Sequence, residues 1–561
     1  MESSAVDASV TPNTTDKGGD TSLPPKQKSA TRGFRFWALF VCLALTAFLS
    51  ALEGSIVSTA LPTIAREINV AENYIWVINV YFLTSAAVQP LYGQLADLWG
   101  RRWLMISAVA IFVLGSGICG GANSPNMLIG GRTVQGLGAA GINVLVELIV
   151  CDVLPLRERG QFMGLLFVFI TLGSVIGPFV GGILVERVSW RWAFYINLPF
   201  GGASLILLLL VLRLKHRATD SFVEKIKKID FTGNFILTAS VTSVLYALTY
   251  GGTRYEWSHP SMIITLVLGL LGHILFLGFE GSRFCPQPVM PLILFKNRTS
   301  AAAYISTFLQ TMVSYWALYF LPLYFQAVLL VSPTMSGVYL LPFSILYSVA
   351  AAVGGGLATK LGKFKIIHIV GCALMTISIG VFTIFDRNTH KAVYIIMQLI
   401  LAFGLGTVMA CLLSAIQTAL PDSLNAASTG TFAFVRSVGT IWGVGIPAAI
   451  FNNRFDQLLP GLNNTQAQEA LRNGQAYEQA SRDFVDSFDP ETSNAIVGIY
   501  EASIQRVFQL GIIFAGLAFL VCFVEKNLQM RTEHESNDFG LVDDEKEKRN
   551  GNSVNVIGES A

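Results

Sequence analysis

Charge is what this sequence has least of. Only 13% of its 561 residues are Asp, Glu, Lys or Arg, and 38 basic against 36 acidic side chains leave a net charge of +2. No basic excess remains for nucleic acid, and no such partner is expected. Cysteine is sparse and unpatterned. Cys42, Cys119, Cys151, Cys372, Cys411 and Cys522 fall in or at the ends of apolar runs, and Cys285 lies in a polar link. Neither pairing nor metal-ligand spacing emerges. The six histidines are scattered as well, so neither a metal nor a haem is expected. A phosphate loop is missing too: "GLATKLGKF" (356–364) has the wrong spacing, and no Ser or Thr follows its Lys. The first 33 residues, rich in Ser, Thr, Asp, Lys and Pro, lack the apolar core of a cleavable signal. They read as a disordered tail, as does the charged stretch after about Met530.

What the chain has instead is apolar length. Hydrophobic residues make up 53% of it, and the mean hydropathy is +0.56. Continuous runs of about 20 residues recur, the length a helix needs to cross roughly 30 Å of hydrocarbon. Because the runs do not alternate, helices are expected rather than a barrel. About fourteen spans are predicted, near 36–60, 74–95, 103–122, 127–153, 161–186, 191–213, 230–250, 260–280, 301–327, 334–358, 366–385, 391–418, 427–451 and 507–525. With a cytoplasmic N-terminus, Arg101, Arg102, Arg157, Arg159, the stretch "RLKHRATDSFVEKIKK" (213–228), Lys296, Lys360, Lys363 and Lys365 all fall inside. The outer links "YGGTRYEWSHP" (250–260) and "VSPTMS" (331–336) are poor in Lys and Arg, as the inside rule requires. Both tails are then cytoplasmic. The longest outer link, 452–505, carries an N-glycosylation acceptor at Asn463.

The sequence repeats itself. "GQLADLWGRR" (93–102) is echoed by "GGLATKLGKFK" (355–365), and "QGLGAAGINVLVELIVCDVLP" (135–155) by "FGLGTVMACLLSAIQTALP" (403–421). Equivalent elements on one side of the membrane indicate a parallel repeat with a central site. The expected plan is an N-terminal tail (1–35), a six-helix bundle (36–213), a linker with two extra spans (214–300), a second six-helix bundle (301–525) and a C-terminal tail (526–561).

Polar residues inside the spans are costly and face the bundle interior by default. Glu53 lies about 12 Å from the outer end of the first span, and Arg132 about 9 Å from that of the fourth. At similar depth they can share a cavity, with Glu53 carrying a proton and Arg132 tuning it; a static ion pair is the alternative. Glu147 is a second intramembrane carboxylate, either a second proton site, a contact for a cationic substrate or a solvated residue at the cavity mouth. Asp152 at the inner edge suits a gate or cap paired with Arg157 or Arg159. Arg436, mid-depth in the thirteenth span, can hold an anionic substrate group or a carboxylate across the cavity. In 93–102, Gly93 and Gly100 permit close approach and a tight turn, and Asp97 is within reach of Arg101. The reading is a charged latch of Asp97, Arg101 and Arg102 favouring one of two rocking states; a plain positively charged turn is the alternative. Gly173, Gly177, Gly181 and Gly182 with Pro178 set small residues and a kink along the fifth span, and "VGTIWGVGIP" (438–447) is the counterpart. The aromatic ninth span offers Tyr315, Trp316, Tyr319 and Phe320, with Gln310 and Gln326, as a lining for bulky apolar ligands.

Taken in order, these segments resemble the signatures of the major facilitator superfamily. "GQLADLWGRR" is similar to its cytoplasmic loop motif between helices two and three, and "RTVQG" (132–136) to its fourth-helix motif, which adds Gln135 to the central cavity. "GSVIGPFVGG" (173–182) resembles the fifth-helix motif of drug antiporters. "LEGSIVSTALPTI" (52–64) and "WRWAFYINLPFG" (190–201) resemble the first- and sixth-helix motifs of the fourteen-helix drug:proton antiporters, with Glu53 where aspartate is usual. The resemblance implies an all-α integral membrane protein of two six-helix bundles plus two inserted helices. It implies a monomeric proton antiporter, not an enzyme, expelling amphipathic organic compounds such as drugs or fungal toxins. It needs no cofactor beyond a proton gradient and sits multi-pass in the plasma or vacuolar membrane. The rivals are a proton-coupled importer of an iron chelate or amino acid, and a non-transporting membrane sensor.

Overall fold

The computed structural model describes residues 33–68, 74–212, 222–251, 255–472, 474–477 and 479–531. Most of both expected tails, all but 33–35 and 526–531, and much of the charged stretch 213–228 lie outside them. Among the described residues, fourteen long helices appear: α1 (Phe34–Glu67), α2 (Tyr74–Trp99), α3 (Arg101–Gly120), α4 (Pro125–Val153), α5 (Leu156–Arg187), α6 (Asn197–Val211), α7 (Phe231–Tyr250), α8 (Pro260–Glu280), α9 (Arg298–Ala327), α10 (Pro333–Leu361), α11 (Lys365–Phe382), α12 (Lys391–Thr418), α13 (Asn425–Leu458) and α14 (Pro490–Val524). Twelve of the helices, α6 together with the short turn that begins at Trp192, have stretches long and apolar enough to cross a bilayer. The two others, α2 and α9, hold a share of polar side chains and pack among the rest.

Local chemistry sets the ends. Ser124, Asn297, Ser332 and Asp489 accept a hydrogen bond from the first turn of α4, α9, α10 and α14. Gly362 closes α10 in the left-handed region at φ 66°. Gly100 turns α2 into α3 at φ 82°, a conformation that strains any side chain. The last span is longer than its hydropathy suggests. Asp489 and Pro490 start α14 far ahead of residue 507, because Glu491, Glu501, Gln505 and Arg506 dilute its apolar signal without breaking the helix. The outer link is correspondingly shorter, 459–489, and holds short helices of its own.

The packing shows the repeat. In the first half α1 lies along α5 and α4 carries α2 and α3; in the second α9 lies along α13 and α12 carries α10 and α11. The halves meet where α5 packs on α10 and α2 on α13, two contacts that exchange under the repeat. The inserted pair α7/α8 packs on itself, with α7 against α2. On α8, Ile263, Ile264, Leu268, Leu271, Ile274 and Leu275 are exposed, a face suited to lipid.

Candidate functional site

A fully buried polar cluster sits inside the first half. Glu53 on α1 and Arg132 on α4 are both 0% exposed, with Arg132 Nη1 2.5 Å from Glu53 Oε1. Asn197, at the start of α6, donates to the other carboxylate oxygen. Arg132 Nη1 also donates to Gln135 Oε1 at 2.7 Å and Nε to the Val77 carbonyl at 3.0 Å. Gln135 Nε2 donates to Ser116 Oγ on α3. The Tyr81 ring lies 4.3 Å below the guanidinium, a cation–π contact. Five helices thus converge on one carboxylate. Its cost in an apolar interior is met by a single cation and a neutral amide. Gln135 therefore belongs to this cluster rather than to an open cavity wall. Asn197 and Tyr81 escaped sequence reading, since neither stands out from its apolar neighbours.

A second pair crosses the halves. Arg436 Nη1 on α13 meets Glu147 Oε1 on α4 at 2.6 Å, so the carboxylate facing Arg436 belongs to the protein itself. The pair edges a small cavity of about 20 Å³, lined also by Ala47, Asn143, Phe167 and Ile170. Between the clusters, Tyr81 Oη donates to the Ser50 carbonyl and Ser50 Oγ to Asn143 Oδ1, each at 3.4 Å, and Asn143 lines the cavity beside Glu147 and Arg436. The predicted aromatic lining divides. Trp316 packs on Phe514, and Phe320 on Phe451 and Tyr477, inside the second half. Tyr315 and Tyr319 stack on each other, and Tyr319 is exposed. Gln310 is buried, donating to the Leu405 carbonyl, and Gln326 donates to Ser336 Oγ.

The signature loop forms a charged corner, with one partner different from expectation. Arg101 bonds Asp97 at 3.2 Å and Asp152 at 2.7 Å. Asp152 thus pairs with Arg101, not with Arg157 or Arg159, because α4 ends facing the start of α3. Arg157 instead donates across the halves to the Thr359 and Lys360 carbonyls of α10, and Arg159 to Gln417 Oε1 on α12. Arg102 turns away from the latch, donating to the Leu209 carbonyl of α6 beside the Trp103 ring. Gly93 is where α2 meets α13: an added Cβ would lie 2.8 Å from the Ala426 carbonyl. Gly160 and Gly355 make the matching approach of α5 to α10. The halves are therefore in close contact at the end that the charges predict to be cytoplasmic.

On α5, an added Cβ at Gly173 would lie 2.5 Å from the Phe48 carbonyl of α1, and at Gly177 2.9 Å from that of Leu52. Gly439 and Gly443 press α13 onto α9 in the same way. Gly182 meets nothing within 4 Å, and Gly181 is buried; Pro178 lies within α5. Asn463 is exposed in the outer link. Folding also gathers residues that sequence left apart. Asp230, Glu280 and Cys285 bring three potential metal-ligand atoms within 4.8 Å of one another at the inner end of α7/α8. Burial, reinforced by the two carboxylates, pushes the Cys285 thiol up to about 12, so it stays protonated at neutral pH. Gln94 of the signature segment clamps this end by donating to the Lys228 and Gln287 carbonyls.

The sequence profile of the Major Facilitator Superfamily matches residues 43–444. The chain belongs to this superfamily of transporters. The MFS-type efflux transporter pyiT of Pyricularia grisea is 60% identical, covering 94% of this chain and 89% of that protein. The MFS-type efflux transporter ffsH of Aspergillus flavipes is 50% identical over 91% of this chain and 87% of its own. The efflux pump FUS6 of Gibberella fujikuroi is 40% identical over 95% and 96%. Among solved structures, the human organic anion transporter MFSD10 superposes with a TM-score of 0.55 at 14% identity, over 86% of this chain and 100% of that one. The proton:xylose symporter XylE gives 0.53 at 13%, over 88% and 98%. At that identity the two structures speak for the fold alone.

Proposed function

We propose that this transporter is a proton-coupled antiporter that expels an amphipathic organic compound, a secondary metabolite or toxin, across the plasma membrane. The observation that carries the reading is Glu53, wholly buried and balanced by one arginine. Such a carboxylate is tolerable either paired or neutral. Protonation cancels its charge, releases Arg132 and unsettles the five-helix knot; deprotonation restores it. The Tyr81–Ser50–Asn143 thread runs from this knot to the cavity that the Glu147–Arg436 pair edges, a route by which a change at Glu53 is relayed toward the contact between the halves. Glu147 serves as the second proton site, opening the cavity edge when it leaves Arg436. The direction of transport follows the efflux names of relatives at 40–60% identity. Asn463 is the site of glycosylation.

In inside-out vesicles with an acidic interior, wild-type protein is expected to accumulate amphipathic test compounds, and Glu53→Gln to accumulate none at equal expression. Gradient-independent accumulation, or an undiminished Glu53→Gln, sinks the proposal. Uptake driven the other way indicates an importer.

A further inference from the structure

The segment after α14 does not leave the protein but crosses its cytoplasmic face. Glu525, fully buried, accepts from His368 of α11 at 2.9 Å, and the Lys526 amide donates to Thr299 Oγ1 at the start of α9. The Met530 amide donates to the carbonyl of Gly362, which closes α10. Arg531 then bonds to both halves. Its backbone carbonyl accepts from the Arg157 amide at 3.1 Å, the second residue of α5 in the first half. Its guanidinium donates to the Leu420 carbonyl at 2.7 Å and the Gln417 carbonyl at 3.4 Å, and lies 3.4 Å from Asp422, at the end of α12 in the second half.

The chemistry of helix ends explains why one residue suits both. The first amides of a helix and its last carbonyls lack partners within the helix. The N-terminal end attracts an acceptor and the C-terminal end a cation. Arg531 supplies the acceptor to α5 and the cation to α12. Both ends lie beside the crossing of α5 and α10, where Arg157 also grips the Thr359 and Lys360 carbonyls. Rocking the halves apart at this face has to separate these partners.

We infer that residues 526–531 form a strap across the cytoplasmic gate, and that Arg531 is a positioning residue for transport that caps a helix of each half and favours the cytoplasm-closed state. The inference rests on two-state rocking of the halves and not on the identity of the cargo or the coupling ion.

The test is a distance measurement on the full transporter in lipid nanodiscs, without substrate. Spin labels go at the exposed positions Trp103 on α3 and Ile366 on α11, which separate as the cytoplasmic side opens. Arg531→Ala is expected to raise the ratio of long to short distances roughly tenfold, the scale of two or three lost hydrogen bonds. Arg531→Lys, which keeps a cation at the carbonyls, recovers most of the short population. A chain ending at Glu525 shifts at least as far as Arg531→Ala. Distance distributions unchanged in Arg531→Ala overturn the strap even if the shortened chain fails to fold. A shift in Arg531→Ala that Lys does not reduce overturns the role of the guanidinium.

Discussion

The two halves share a shape and differ in what they bury. Aligning Gly136–Gly138 with Gly404–Gly406 places Ile400 where the first half has Arg132, and aligning Gly93 with Gly355 places Thr359 where it has Asp97. Both halves use glycines to seat the fifth helix of the bundle on the first, at Gly173 and Gly177 and again at Gly439 and Gly443. Among the described residues, the fully buried carboxylate–arginine pair lies in the first half, as does the acid within the signature segment 93–102. The second presents aromatic rings, helix-end carbonyls that accept from Arg157 and Arg531, and Arg436 directed across the interface. On the function proposed above, proton handling and latching fall to the first half and the receiving surface to the second. Repetition keeps the packing geometry, while the buried Glu53–Arg132 pair has no counterpart at the matching place in the second half.

That contrast can be broken by degrees. The largest effect is expected from Glu53→Gln, at least a hundredfold loss of proton-driven transport in vesicles, with thermal stability of the purified protein lowered, because Arg132 is left buried without its counter-charge. Asp97→Asn comes next: Arg101 keeps Asp152 but loses its second anion, and turnover should fall about tenfold with a melting temperature little changed. Acid at the matching place in the second half, Thr359→Asp, is expected to restore none of that loss, which initial transport rates of the double variant would show. Smaller still is Gly93→Ala, whose methyl group meets the Ala426 carbonyl and weakens the closed state by about 1–3 kcal/mol. Gly182→Ala, facing open space, is the silent control by the same melting assay. The smallest effect belongs to Asp489. The Thr492 amide it accepts from holds its carboxyl below the ordinary value. Its capping contribution is therefore present above the unfolded value and fades as pH falls through the folded one. Asp489→Ala should only speed hydrogen exchange in the first turn of α14, and acidification should do the same to wild type.

Much of this was legible in the sequence because it depends on composition along one helix. Apolar length predicts the spans, and a carboxylate such as Glu53 or an arginine such as Arg132 within one announces itself by its cost. What depends on helix rotation was not legible. Asp152 has three arginines within plausible reach, and only the packing of α3 on α4 selects Arg101. The pairing of Glu147 with Arg436 joins residues 289 apart. Trp316 and Phe320 look like a pocket wall until the faces of α9 are known. Arg531 lies in a polar segment with no hydropathy signal, and its partners are Asp422, more than a hundred residues away, and backbone atoms, which leave no pattern to read.

The most direct test of the central claim compares two modes of transport in the same vesicles: proton-driven accumulation, and exchange of labelled for unlabelled compound without a gradient. Exchange needs the rocking cycle but no net proton movement. Glu53→Gln is predicted to keep exchange and lose accumulation. A Glu53→Gln protein that still accumulates its cargo against an acid-inside gradient would contradict the account, leaving the buried Glu53–Arg132 pair as structure alone.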